Sequence, residues 1–453
     1  GGNGGWLDDS RIENAPAQVS LGPPVNVTMH GAILAWSQNS DPDFARYEVH
    51  RKQGTGVSFS DVLAATITDR NTTTFADTYS VLQPQYWYYK VYVVDTNGMY
   101  SCGSNEVQAS YTVPHVSYPF ADGMESGTGN WEWGTPWGLT TEAAHTGTHS
   151  WTDSPETTYE NGVNTALTTA IDLTAADMPV LRFWHRYVFE QDADYGFVDV
   201  SGDGGQNWVT TYFVTGTSLD WQEEKIDLSV YAQRSDVRVR FRVQTSGSGR
   251  YDGWYIDDVS IAETPTPTIA YPLVDDAEGG EVNWLSSSWG QITSVSHSPT
   301  TSWHDSPGCN IPGGYGSYTY LTLAGAMNLT GAQCPQLTFW EYSQQSQRIM
   351  VDISTNNGHD WTTLTNYWTS PSAWRQIQLD LAGYTGSIVR VRFGSYLYYG
   401  GNGWWIDDVS ISDGGCSRVD WCSLEAPSSV QVVAGLPTPQ ITGLVEETGI
   451  TNA

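Results

Sequence analysis

Lysine is nearly absent from this sequence: Lys52, Lys90 and Lys225 are the only three among 453 residues. Lysine and arginine together number 19 against 50 aspartate and glutamate residues, so the formal net charge is -31 at pH 7. Such a charge repels phosphate backbones and anionic lipid headgroups, which argues against nucleic acid and membrane surfaces as partners. Divalent cations and neutral partners fit better, and an acidic surface also keeps an extracellular protein soluble.

Long apolar runs are missing as well. No stretch of about 18 apolar residues occurs, so the sequence predicts no membrane span. The opening residues GGNGGWLDDS have neither the basic nor the apolar region of a signal peptide. We interpret this Gly-rich start as a processed terminus or a linker, and predict an extracellular or cell-surface location.

Cysteine is scarce, with five residues and no C-x-x-C pair of the kind that binds zinc or exchanges thiols. In an oxidising compartment, Cys309 with Cys334 and Cys416 with Cys422 are candidate local disulfides, which leaves Cys102 over. Free buried thiols are the alternative.

Catalytic motifs are also lacking. There is no H-E-x-x-H, and HTGTH at 145–149 has no glutamate and contains a glycine that weakens a helix. No G-x-S-x-G is present. The adjacent Asp257 and Asp258 are excluded as a glycosidase pair, because successive strand residues are expected to point to opposite faces. The sequence therefore predicts a protein that is not an enzyme.

What the chain does contain favours strands and turns. It has 46 glycines, 21 tryptophans and 26 tyrosines. The segment VRVRFRV at 237–243 alternates apolar and charged residues with the period of a half-buried strand. SGDGGQNW and STNNGHDW supply the Gly and Asn that hairpin turns need. An all-β protein is predicted.

The sequence also repeats itself. GWYIDDVSI at 253–261 returns as GWWIDDVSI at 403–411, SWTDSP at 150–155 returns as SWHDSP at 302–307, and VDVSGDGGQNW matches VDISTNNGHDW. Each unit is about 145 residues long, which suits a domain and is too long for a solenoid repeat. We call the two units module 1 and module 2.

Composition shifts divide the chain into five predicted segments. They are a Gly-rich N-terminal segment (1–14), a small β-sandwich (15–113), module 1 (118–262), module 2 (271–413) and a C-terminal tail (414–453) that resembles the start of another β-sandwich. A Thr/Pro stretch, AETPTPTIAYP at 262–272, is predicted as the linker between the two modules.

Two family resemblances refine this picture. AILAWSQNSDPDFARYEVHRK and YWYYKVYVVDTNGMYS resemble a fibronectin type III domain. LRFWHRYVFEQDADYGFVDVSGDGGQNW and YDGWYIDDVSI resemble the MAM-like, concanavalin A-like jelly-roll modules of immune inhibitor A-type secreted bacterial peptidases, and the terminal Asp-Asp-Val strand is similar to cleaved adhesin modules. The resemblance implies one immunoglobulin-like sandwich followed by two jelly rolls. Module 2 lacks the acidic EQDADYG insertion of module 1.

The doubled aspartates predict a cation site. At least one aspartate of each pair should be buried, and a buried carboxylate needs a cation or several N–H donors. Calcium takes about six to eight oxygens, and its candidate ligands are Asp122, Glu125, Asp153 and Asp258 in module 1, with Asp275, Glu278, Asp305 and Asp408 in module 2. If the first and last strands are neighbours, Glu125 with Asp258, and Glu278 with Asp408, close one cage each. The resemblance implies calcium at this end; the alternative is that the carboxylates accept backbone N–H bonds in turns.

Aromatic residues raise the question of carbohydrate binding. Most tryptophans occur at matched positions in the two modules and are predicted to be core residues. Tyr396, Tyr398 and Tyr399 lie in a segment that is not repeated and are the candidates for facing a ligand.

Three functions remain open. The favoured one is a calcium-stabilised, non-catalytic extracellular protein for adhesion or for assembly into a filament or surface layer, bound to copies of itself or to other extracellular proteins by strand addition through the terminal tails. The second is the accessory substrate- or matrix-binding region of a secreted bacterial peptidase. The third is an array of carbohydrate-binding modules.

Overall fold

The computed structural model describes residues 16–21, 25–28, 31–78, 87–109, 113–265, 268–307, 318–344, 346–396 and 403–414. Regular structure in these ranges is β-strand apart from two short 3-10 helices. The predicted all-β class and the predicted series of sandwiches are confirmed. Among the described residues, no helix has the length and apolar character needed to cross a membrane.

The first sandwich consists of two antiparallel sheets with the orders β1-β2-β5 and β4-β3-β6-β7. Its core contains Trp36, Tyr47 and Tyr89. The strands are β1 (Val25–Thr28), β2 (Gly31–Ala35), β3 (Phe44–Gln53), β4 (Val62–Ile67), β5 (Thr74–Thr78), β6 (Trp87–Asp95) and β7 (Val107–Ala109).

Module 1 packs two sheets, β10-β13-β18-β15-β16 and β11-β12-β19-β14-β17, around one core. β8 pairs with β13, and β9 pairs with the closing strand β19. The predicted alternation in β18 is confirmed, because Val237, Val239, Phe241 and Val243 lie in the core. The strands are β8 (His115–Val116), β9 (Phe120–Asp122), β10 (Glu132–Trp133), β11 (Gly138–Thr140), β12 (Ser150–Thr152), β13 (Asn164–Ile171), β14 (Pro179–Val188), β15 (Tyr195–Ser201), β16 (Val209–Val214), β17 (Thr217–Asp227), β18 (Val237–Gln244) and β19 (Gly253–Glu263), with a 3-10 helix at Ser229–Tyr231.

Module 2 repeats this plan. One sheet centres on β31, which pairs with β25, β26 and β28, and the other has the order β23-β24-β32-β27-β30, with β21 beside β32. The strands are β20 (Thr268–Ile269), β21 (Leu273–Asp275), β22 (Trp284–Ser286), β23 (Gly290–Ile292), β24 (Ser302–His304), β25 (Tyr318–Leu323), β26 (Ala326–Asn328), β27 (Pro335–Ser343), β28 (Gln347–Ser354), β29 (Thr362–Thr369), β30 (Arg375–Asp380), β31 (Ile388–Tyr396) and β32 (Trp404–Asp413), with a 3-10 helix at Ala382–Tyr384.

The two modules contact each other through a buried arginine of module 2. The Arg390 side chain is fully buried and donates to Ser229 Oγ at 2.9 Å and to Asp227 Oδ2 at 3.2 Å, both in module 1. It also donates to the carbonyl oxygens of Leu323 and Asn357 in its own module. Because a buried guanidinium is stable only when its N–H groups are paired, this network fixes module 2 against module 1.

Further contacts extend this junction. Asn357 Nδ2 donates to Asp177 Oδ2 at 2.8 Å, and Thr264 Oγ1 donates to the carbonyl oxygen of Ala324 at 3.0 Å. Val180 of module 1 packs in a small apolar cluster with residues of module 2. The modules therefore meet through different faces, as in a head-to-tail arrangement.

Candidate functional site

The adjacent aspartates lie at a bulge in the closing strand of each module. The pairing of β14 with β19 shifts register between Arg182 and Trp184, next to Asp257. Asp258 has a φ of 47°, and Asp408 has the same value in module 2. A bulge places an extra residue in one strand and turns its side chain away from the regular alternation. We call Asp257-Asp258 and Asp407-Asp408 the Asp-Asp bulges.

In module 1 the bulge lets the carboxylates of Asp257 and Asp258 contact the same loop, 145–149. Asp257 Oδ2 accepts the backbone N–H groups of His145 at 2.7 Å and Thr146 at 3.2 Å. Asp258 contacts His145 Nδ1 at 2.6 Å and accepts from Thr146 Oγ1 at 2.7 Å. The expectation that the two aspartates point to opposite faces is therefore wrong, because the positive φ of Asp258 breaks the alternation.

The His145 ring is held on its other side by tryptophan. Its plane stacks on Trp184 with a centroid distance of 3.8 Å and an interplanar angle of 9°. Trp221 approaches edge-on at 5.9 Å. The imidazole is thus fixed between the Asp258 carboxylate, which lies on β19, and the indole of Trp184, which lies on β14. Trp221, on β17, closes the edge of the ring.

Module 2 contains the same arrangement. Asp407 Oδ2 accepts the backbone N–H groups of His297 at 2.7 Å and Ser298 at 3.0 Å, and Asp408 contacts His297 Nδ1 at 2.5 Å. His297 stacks on Trp340 at 3.9 Å. The loops that contain His145 and His297 differ in sequence but make the same contacts with the Asp-Asp bulges, which indicates a shared structural role.

The glutamates predicted as calcium ligands hold the far end of the same loops. Glu125 accepts the backbone N–H groups of Thr148 and His149, each at 2.7 Å. These bonds, first that of Thr148, lower the pKa of Glu125 to about 2. Glu278 accepts from Thr300 and Thr301, and the Thr300 hydroxyl is the main reason that its pKa is lowered to about 2.

The remaining predicted ligands are buried turn carboxylates. Asp122 accepts from the backbone N–H of Met124 and from the indole of Trp131, and Asp275 has the equivalent partners. Asp153 accepts the backbone N–H of Trp254 at 2.7 Å, and burial raises its pKa to about 7. Asp305 accepts the backbone N–H of Trp404 at 3.1 Å.

These residues do not fit a calcium ion as arranged. The adjacency that the cage requires is present, because β9 pairs with the closing strand and Asp122 lies opposite Val259. However, Glu125 and Asp258 contact opposite ends of the 145–149 loop, and both oxygens of Glu125 are already engaged by Thr148 and His149. The described ranges contain no group of three or more His, Cys, Asp or Glu side chains placed to hold a metal. Calcium stays a prediction of the sequence.

Comparisons with known proteins cover parts of the chain. The family model of Reelin subrepeat B matches residues 148–262. Bacillopeptidase F of Bacillus subtilis (strain 168) is 34% identical over 145 residues, which are 31% of this chain and 10% of that protein. The chain thus matches about a tenth of the length of its curated relative.

Solved structures with similar folds include the N-terminal CBM22-1-CBM22-2 tandem domain of Paenibacillus barcinonensis Xyn10C, at 14% identity and a TM-score of 0.24, which covers 65% of this chain and 97% of that chain. The K2 cleaved adhesin domain of Lys-gingipain has 15% identity and a TM-score of 0.24, covering 32% of this chain and 98% of that chain.

The matched segment of module 1 contains its Asp-Asp bulge but begins after His145. The sequence prediction also missed the histidines as partners of the aspartates. A signal was present, since His145 and His297 each stand five residues before a repeated Ser-Trp pair.

The other residues predicted as sites are the cysteines and three tyrosines. Cys334 is disulfide-bonded and Cys102 is a free, exposed thiol, whereas Cys309, Cys416 and Cys422 lie outside the described residues. Tyr396 is half-buried at the end of β31, 5.0 Å from the ring of Tyr318. Tyr398 and Tyr399 also lie outside the described residues.

The buried aspartate of module 2 predicts a pH dependence of stability. Burial raises the pKa of Asp407 to about 6, above the usual value of 3.8. The folded state therefore binds a proton more readily than the unfolded state, and stability falls as the pH rises from about 4 through 6. Between pH 4.5 and 7.5 we expect the free energy of unfolding to decrease by about 1 to 2 kcal/mol more in the wild type than in Asp407→Asn, measured by urea unfolding. Equal pH dependence in both proteins would contradict this assignment.

Proposed function

We propose that this chain is a non-catalytic, extracellular accessory region of the kind carried by secreted peptidases, and that its paired modules bind a polymeric substrate or matrix. The observation that carries the proposal is the 34% identity with Bacillopeptidase F over 145 residues. The match covers a tenth of the relative, so the similarity concerns a part of that protein and not the whole enzyme.

The geometry of the Asp-Asp bulges supports a non-catalytic role. The carboxylates of Asp257 and Asp258 are engaged by the same loop, and His145 is stacked on Trp184. Groups held in this way anchor a loop to the closing strand. We infer in addition that the first sandwich is a fibronectin type III-like domain, which its sheet orders β1-β2-β5 and β4-β3-β6-β7 support.

The test is co-sedimentation of the purified chain with insoluble cellulose, xylan, chitin, collagen and keratin, with serum albumin as the non-binding control. We expect the chain to pellet with at least one polymer and to release neither peptides nor sugars from it. Release of products by the purified chain, or its recovery in every supernatant, would contradict the proposal.

Self-assembly and adhesion stay predictions of the sequence. In a filament built by repeating the Arg390 junction, module 2 would have to present the groups that accept from Arg390 in module 1, which are Asp227 and Ser229. Module 2 keeps Asp380 at the position of Asp227, but it has Ala382 where module 1 has Ser229. The tails predicted to add strands lie largely outside the described residues. The observations therefore favour the accessory role.

A further inference from the structure

Four side chains form a row across the outer face of one sheet of module 2. Tyr318 of β25 lies directly opposite Tyr396 of β31, and Arg348 of β28 lies directly opposite Trp368 of β29. Opposed residues of antiparallel strands point to the same face. The two pairs are neighbours, because β28 pairs with β31 and the central guanidinium carbon of Arg348 lies 6.0 Å from the centre of the Tyr396 ring. We call these four residues the aromatic row. It crosses four strands that lie about 4.8 Å apart, so it is about 14 Å long.

The aromatic row faces away from the core of module 2. On the opposite side of its strands lie residues that belong to that core or pack against it, which are Leu321, Phe393, Ile349 and Tyr367. The Trp368 side chain is 56% exposed, and the other three side chains of the row are half-buried. Contiguous exposed aromatic groups are typical of binding surfaces. Core packing therefore does not explain why these rings are present.

Module 1 has the same sheet but not the row. Its corresponding positions contain Asn164, Gln244 and Tyr195, of which Gln244 lies opposite both others. The core tryptophans recur in both modules because the shared fold requires them. The residues of the aromatic row do not recur. They are therefore a property of module 2 that the fold itself does not require.

A glycine beside the row keeps this surface open. Gly394 follows the repeated VRVRF of module 2, where module 1 has Arg242. A Cβ atom at Gly394 would lie 2.9 Å from the Tyr320 ring and 3.5 Å from the Tyr318 ring, so the glycine leaves room for both rings beside the strand. In module 1 the Arg242 guanidinium lies 4.2 Å from the centre of the Phe197 ring and covers it. The outer face is thus closed by a cation in module 1 and lined with aromatic rings in module 2.

The row contains a cation without an acidic partner. Arg348 Nε donates to Asn366 Oδ1 at 3.1 Å, and within the described ranges Arg348 pairs with no carboxylate. Asp352 is the one acidic residue at the outward positions of β25, β28, β29 and β31 as described, and it accepts from Arg392 at 2.9 Å. The rest of the chain is acidic, but charges beyond about 8 Å are largely screened at physiological ionic strength. The terminal nitrogens of Arg348 therefore present a positive charge suited to a carboxylate.

A sugar chain fits the row better than a peptide strand. A peptide that adds to the edge of this sheet would run along β29 and form main-chain hydrogen bonds. A ligand that contacts all four members of the row must instead cross the strands, so it is held by side chains. The electron-rich faces of aromatic rings attract the C–H groups of a sugar ring. A carboxylate on the sugar provides the acceptor that Arg348 requires.

We propose that the aromatic row of module 2 binds a polysaccharide that contains uronic acid. Sugar rings stack on the aromatic rings of the row, and a uronate carboxylate accepts hydrogen bonds from the Arg348 guanidinium. This inference rests on the proposed function and names the class of polymer that the accessory region recognises.

The test uses the full chain and soluble hexamers of 1,4-linked mannuronic, glucuronic and galacturonic acid. Each hexamer is compared with its methyl ester, which has the same sugar rings without the charge. Isothermal titration is expected to show that at least one acid hexamer binds, about tenfold or more tightly than its methyl ester. Trp368→Ala and Arg348→Gln are each expected to weaken this binding about tenfold or more. Arg348→Gln is also expected to remove the preference for the acid over the ester.

Two substitutions in module 1 are the matched controls. Trp133→Ala removes a tryptophan that is 37% exposed, and Arg250→Gln removes an exposed arginine that pairs with Glu160. Neither residue lies on the outer face of module 2, so both variants are expected to bind the hexamer as the wild type does. Added salt is expected to weaken binding more in the wild type than in Arg348→Gln, because salt screens the charge of the arginine.

The outcomes separate this inference from the proposed function. Binding of no acid hexamer, equal affinity for acid and methyl ester, or wild-type affinity in Trp368→Ala or Arg348→Gln overturns the assignment of the row. If the chain then still pellets with an insoluble polymer, the accessory function stands and its binding surface lies elsewhere. Binding of poly-L-glutamate that Arg348→Gln weakens, without binding of any hexamer, overturns the assignment in favour of an acidic peptide.

Discussion

Replacing Arg390 with alanine is expected to lower the free energy of unfolding by about 3 to 5 kcal/mol and to uncouple the two modules. The Arg390 side chain is fully buried, and its loss removes the donors to Ser229 Oγ, to Asp227 and to two carbonyl oxygens. The carboxylate of Asp227 would remain partly buried without its cation. Removing one member of a buried pair is costly because the other remains desolvated.

Calorimetry and limited proteolysis measure this effect. We expect the modules of the wild type to unfold together, and those of Arg390→Ala to unfold in two separate transitions with faster cleavage of the linker between them. A variant with one transition and wild-type stability would show that the junction does not depend on this arginine.

The chain offers a matched control for this substitution. Arg238 occupies the same place in the VRVRF segment of module 1, but its side chain is 15% exposed and pairs with Asp236 two residues away. Such pairs contribute at most about 1 kcal/mol. Arg238→Ala is therefore expected to cost about 1 kcal/mol or less and to leave the modules coupled.

These two arginines show what the sequence could and could not reveal. VRVRF is identical in the two modules, and its alternation correctly predicted which residues face the core. Nothing in those five letters separates Arg390 from Arg238. The difference arises from Asp227 and Ser229, which precede Arg390 by more than 160 residues. The fold places these two residues opposite Arg390 and not opposite Arg238.

The Asp-Asp bulges show a similar limit. The repeat identified β19 and β32 as closing strands, and the condition that the first strand lies beside the closing strand is met, as Asp122 opposite Val259 shows. The positive φ of Asp258 was not predictable from an apolar strand pattern, since alternation assumes regular pairing. The contact of His145 with Asp258 spans 113 residues, so no local sequence pattern contains it.

The second large effect is expected at the bulge of module 1. Asp257→Ala should lower the free energy of unfolding by about 2 to 4 kcal/mol, because the partly buried N–H groups of His145, Thr146 and Asp258 lose a charged acceptor. Burial raises the pKa of Asp257, because its charged form is desolvated. Removing the charge relieves part of this desolvation cost, so the loss of stability is smaller than the loss of three full hydrogen bonds.

Asp258→Asn is the matched substitution one residue along. Asparagine tolerates the left-handed backbone that the bulge requires, and its side-chain oxygen can still accept from Thr146 Oγ1. We expect a cost of about 1 kcal/mol or less. Urea unfolding gives the two free energies, and hydrogen exchange at the His145 and Thr146 amides reports the loop directly, with faster exchange expected in Asp257→Ala alone. If both variants cost the same, the loop is anchored by the His145 contact with Asp258, and the backbone bonds to Asp257 contribute little.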